Sequence, residues 1–146
     1  MKNILVAVDF EPKTKKLLQH ATQIAEKFKS KIWIVHVAAP DPDFVGNRVT
    51  GGVDYMEKQL ANDLRKEHKT VQRYAKQLND KGFRATGLLV QGATVQTVIN
   101  ESKKLKIDLI VIGSHKHSFL YRAFSEVTSS LVIKKSKIPI LVVPLD

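Results

Sequence analysis

Short, unbroken apolar runs alternate with segments of helical periodicity along this chain, and that alternation leaves room for few folds. Ile4 to Val8 forms the first run. Leu17, Leu18, Ala21, Ile24, Ala25 and Phe28 then recur at helical spacing, with Pro12 placed near the first turn. Ile32 to Val37 forms a second run, and Ala39 to Gly52, which holds Pro40, Pro42, Gly46, Gly51 and Gly52, reads as a long loop. From Val53 to about Asp80 the spacing of Leu60, Leu64, Val71, Ala75 and Leu78 predicts one long helix. A strand ending near Val90, a helix carrying Val95, Val98, Ile99 and Leu105, a strand at Leu109 to Ile112, a helix around Phe124 to Ile133 and a strand at Ile138 to Val143 complete the pattern.

Strands that read as continuous apolar runs are covered on both faces, which is the signature of a parallel sheet between two helical layers. The expected fold is therefore a three-layer, doubly wound α/β domain with five parallel strands and helices on both faces. At 146 residues it forms one domain, 1–146, large enough to build its own core. The absence of cysteine removes thiol catalysis, redox motifs and thiolate zinc sites. The N-terminal apolar run ends at Asp9 and lacks the length of a signal peptide, and no apolar stretch approaches the roughly 18 residues of a membrane helix. A cytoplasmic protein with no membrane partner is the resulting expectation.

Open α/β sheets bind ligands outside the carboxyl ends of their strands, where the strand order reverses. That rule selects Asp9, Val37 with Ala38, Gln91 with Gly92, and Gly113 to His117. Asp9 can accept hydrogen bonds from a ribose or base, or cap the following helix. Gly92 supplies a permissive turn before a helix. The segment from Gly113 through Ser114 to a later helix places backbone amides where phosphate can bind, and His115, Lys116, His117 and Arg122 add positive charge. Two histidines two residues apart, with no third ligand nearby in sequence, do not make a metal site. His36, inside the second strand, reads as a core or strand-end histidine satisfied by backbone.

There is no GxSxG elbow, GxxxxGK[ST] loop, HExxH helix or GxGxxG fingerprint, so no nucleophilic constellation stands out and the conventional kinase and dehydrogenase readings fall. The formal net charge is +10, with Lys103, Lys104, Lys106 and Lys134, Lys135, Lys137 clustered where helices end. Such lysines meet the macrodipole and keep a domain soluble. No aromatic residues interleave the clusters as single-strand binders require, which argues against specific nucleic-acid recognition.

Taken together, the segments ILVAVD, IWIVHV, QGATVQTVINESKKLKIDLIVIGSH and SSLVIKKSKIPILVVP resemble the universal stress protein family over essentially the whole chain. The resemblance implies strand order 3-2-1-4-5, a homodimer formed partly by pairing the last strands, and a stress-induced cytoplasmic protein. The ATP-binding branch of that family carries Gly-x2-Gly-x9-Gly-[Ser/Thr] after the fourth strand. Here Gly113 keeps the first position, but Lys116, Glu126 and Val127 occupy the others. Asp9 and Val37, matching the family's adenine and ribose contacts, are kept together with Gly113.

The resemblance thus implies a non-enzymatic stress-response protein whose triphosphate site has degenerated, requiring no cofactor and acting through an unidentified regulatory protein partner. The alternative is a nucleotide sensor that binds ATP or AMP, with Lys116, His117 or Arg122 replacing the lost glycines. A slow ATP hydrolase has no candidate base to support it. The loop from Pro40 to Gly52 is expected to act as a lid beside Asp9 and Gly113.

Overall fold

The computed structural model describes residues 1–10, 12–38, 52–114 and 126–145. The elements run β1 (Asn3–Ala7), α1 (Thr14–Phe28), β2 (Lys31–Ala38), α2 (Gly52–Asp80), β3 (Arg84–Gln91), α3 (Thr94–Lys104), β4 (Leu109–Ser114), α4 (Glu126–Lys135) and β5 (Ile140–Pro144). All strand pairs are parallel, in the order β3-β2-β1-β4-β5, as expected. The central strand β1 pairs Val6 with Ile34 on one side and with Val111 on the other.

Side chains alternate across each strand, so the apolar runs feed two cores. Ile4, Val6, Ile32, Ile34 and Val111 pack on one face against Leu17 and Ala21 of α1 and Val71, Ala75 and Leu78 of α2. Leu5, Ala7, Val35, Val37, Ile110 and Ile112 pack on the other against Val98 and Ile99 of α3 and Val132 of α4. Gly87 of β3 lets α2 come close: a Cβ there would meet Val71 Cγ1 at 2.6 Å and the Val71 carbonyl oxygen at 2.7 Å.

Two expectations are adjusted. The last strand starts at Ile140 rather than Ile138, because Ile138 is held in a tight turn, its amide donating to Ser136 Oγ at 3.0 Å. The apolar stripe of α2 is buried only in its second half: Leu60 is 39% exposed, whereas Val71 is fully buried. At 29 residues the helix runs about 43 Å, longer than the eight-residue strands beneath it, so its N-terminal half extends past the sheet.

The sheet ends in two edge strands, β3 and β5. Leu145 donates its amide to Ser114 O at 3.0 Å. By the two-residue period of a strand, the amides of Val143 and Leu141 also point to β4 and that of Val142 points to the open edge. No helix among the described residues is long and apolar enough to cross a membrane.

Candidate functional site

The strand order reverses between β1 and β4, which puts the ends of these two strands on either side of the crevice where doubly wound sheets bind ligands. Asp9 follows β1 by two residues. Continuing the β1–β4 register sets residue 8 level with Gly113. Val37, near the end of β2, is buried against the α3 face, and the amide of Gly92 reaches Ala38 O at 3.4 Å. Gly92 has φ +146°, a backbone conformation only glycine adopts readily, which confirms its role as the turn into α3.

Gly113 lies inside β4 rather than at its exit, and the space a Cβ would need is filled by the Leu145 side chain. Its carbonyl accepts a hydrogen bond from the buried Ser129 hydroxyl of α4 at 3.0 Å. Glycine thus gives the Leu145 side chain its room here. Ser114 is half-buried beside Pro144 of β5. Lys116 lies outside the described residues, as do His115, His117, Arg122, the lid segment up to residue 51 and the side chains at 126 and 127. The backbone of Glu126 and Val127 opens the first turn of α4, where amides lack intrahelical partners.

A second group of residues, only partly legible in sequence, anchors the turn that carries Asp9. Phe10 has φ +45°, a left-handed conformation that is costly for a residue with a Cβ. Its ring packs at 4.0 Å from the His36 imidazole and 6.5 Å from Tyr74 of α2. His36 is buried, and its Nδ1 donates to Val8 O at 2.8 Å, the backbone satisfaction that its strand position predicts. Its Nε2 faces Glu67 Oε2 of α2 at 3.6 Å. Stacking and hydrogen bonding therefore hold the β1–α1 turn, and Asp9 with it, against α2. Glu67 and Tyr74 had a signal: with Leu64, Val71 and Leu78 they fall on the core-facing stripe of α2, where a carboxylate is out of place.

A groove of about 870 Å³ between α1 and α2, lined by Leu18, Tyr74, Leu78 and Phe83, lies on the helical layer and away from these strand ends.

The reversal point, the parallel order and the two helical layers define a doubly wound α/β protein with a crevice at the carboxyl ends of β1 and β4. Within that class the chain belongs to the universal stress protein family, whose model matches residues 1–144. Universal stress protein C of Escherichia coli K12 is 30% identical over 146 residues, covering 98% of this chain and 95% of that protein. The solved structure of MJ0577 from Methanocaldococcus jannaschii superposes with a TM-score of 0.74 at 26% identity, covering 99% of this chain and 96% of that one. A universal stress protein from Archaeoglobus fulgidus, solved in complex with dAMP, shares the fold with a TM-score of 0.64 at 17% identity, covering 97% of each chain.

Proposed function

We propose that this universal stress protein works in the cytoplasm as a non-enzymatic, dimeric regulator acting through a protein partner, and that its cleft does not hold a triphosphate. The carrying observation is Glu126. It is an acidic residue where the ATP-binding pattern has glycine, and it is the first residue of α4. An acidic residue in a first turn already supplies the negative charge that helix amides favour. It also opposes a phosphate: two like charges 4 Å apart repel by about 4 kcal/mol at an effective dielectric of 20.

Asp9 and Val37, beside the strand-order reversal, favour a second reading in which the purine end of the cleft still takes AMP or ATP. The dAMP complex of the Archaeoglobus relative is consistent with it.

Calorimetric titration separates the readings. The first expects an ATP dissociation constant no tighter than about 1 mM, and at least about a tenfold gain in the combined Lys116→Gly, Glu126→Gly, Val127→Ser variant. Tight ATP binding by the wild type overturns the first reading. Absence of AMP and ATP binding by the wild type overturns the second.

A further inference from the structure

Because every strand is parallel, every helix ends at the amino-terminal end of the sheet, opposite the cleft. Twelve of the chain's 24 Lys and Arg lie there, in last helical turns, the connections after them or the strand starts, against four of its 14 Asp and Glu. That end therefore carries +8 of the formal +10.

Three of the four acids are occupied. Asp108 accepts the amides of Lys2 and Asn3, Asp80 pairs with Lys76 at 2.8 Å, and Glu101 faces Lys104 at 3.8 Å. Helix macrodipoles account for little of the excess, since each C-terminus carries only about half a negative charge, about two for four helices. The cations around Lys27, Lys103 and Lys134 are surplus to what the fold uses.

Apolar surface stands among them. Phe28, the last residue of α1, is 57% exposed between Lys27 and Lys29, and Met1, whose carbonyl accepts from Ser30 Oγ at 3.0 Å, is 45% exposed. Five strands and two helical layers make this end a blunt face of about 20 by 30 Å. It offers helix C-termini and strand starts, not an element that enters a nucleic-acid groove.

We propose that the amino-terminal end of the sheet is a peripheral docking surface for a bilayer bearing anionic headgroups, with Phe28 entering the headgroup region and the surrounding lysines meeting lipid phosphates. Basic residues near an anionic leaflet and one shallow apolar anchor together give reversible attachment without a spanning helix.

The test is co-sedimentation of the full chain with phosphatidylcholine vesicles containing about 30 mol% phosphatidylglycerol, and with pure phosphatidylcholine, at about 50 and 300 mM KCl. Binding to the anionic vesicles alone is expected, weakened at least about tenfold by the higher salt. The combined Lys27→Gln, Lys103→Gln, Lys134→Gln variant should lose at least about tenfold in affinity and Phe28→Ala about threefold, whereas Lys58→Gln with Lys66→Gln on α2 stays within about twofold. All replaced side chains are exposed, and circular dichroism verifies that each variant is folded. No anionic preference, equal loss in the α2 control, wild-type binding by Phe28→Ala, or tighter binding to a DNA duplex than to vesicles at the same salt would each overturn the proposal.

Discussion

Glu67 Oε2 is buried 3.6 Å from His36 Nε2, with no hydrogen-bond partner among the described residues. Because His36 Nδ1 donates to Val8 O, a neutral imidazole turns a lone pair toward this carboxylate oxygen. Acceptor then faces acceptor, and the contact becomes an ion pair only when both ring nitrogens carry protons. A glutamine at 67 can donate instead. Glu67→Gln should be neutral or stabilising by up to about 1 kcal/mol, whereas His36→Ala, which leaves Val8 O unpaired above a cavity, should cost about 2–3 kcal/mol. Urea titration of both variants checks the pair, and a large loss in Glu67→Gln would contradict it.

The two close-packed glycines should respond differently to alanine. At Gly87 the new Cβ meets the Val71 backbone, which cannot yield without moving α2, and a loss of about 2–3 kcal/mol is expected. At Gly113 it meets the tip of the flexible Leu145 side chain, and about 1 kcal/mol is expected. Thermal unfolding of the two variants ranks them. The reverse order would mean that the cleft side of β4 is the tighter packing.

The Asp108 carboxylate is held below its ordinary pKa of 3.8, chiefly by the Asn3 amide and then by that of Lys2, which outweigh an opposing effect of burial, with lesser help from the nearby positive charges. A lowered folded-state pKa adds stability that is present above 3.8 and lost as pH falls through the folded value. Wild-type stability should therefore decline below about pH 4 more steeply than that of Asp108→Asn, which should be less stable at neutral pH. Denaturant midpoints between about pH 2 and 7 test this, and parallel curves would refute it.

Since the Val142 amide points to the open edge of β5, a proline there spares the β4 ladder and blocks pairing with a second copy. Val142→Pro should shift the proposed dimer to monomer while keeping an α/β circular dichroism spectrum. Sedimentation at micromolar concentration decides, and a monomeric wild type would sink the proposed edge-to-edge dimer.

The strands were readable because runs such as Ile4 to Val8 are buried on both faces and leave no room for alternation, whereas their order in the sheet was implied only by the family resemblance. Element ends were less so: whether Ile138 begins a strand depends on the Ser136 hydroxyl that holds its amide. Gly113 shows how a single residue type fits two readings, since the sequence pattern assigns it to a phosphate loop whereas the structure has Leu145 filling the space of its missing Cβ. Phe10 had no signal at all. Its left-handed backbone is sustained by His36 and Tyr74, 26 and 64 residues further along the chain.

Placing the first strand at the centre of the sheet also dictates an order of assembly. As the chain leaves the ribosome, β1 can pair with β2 early, but its other edge stays open until Leu109 to Val111 has been made. The amides of Lys2 and Asn3 likewise wait for Asp108, more than a hundred residues away. A nascent or truncated chain lacking β4 thus displays its most apolar strand with one side unsatisfied, the state in which β proteins aggregate. Closing so distant a pairing makes folding slow for a domain of this size. A protein family associated with stress therefore has, in this member, a fold that is itself most vulnerable while it is being synthesised.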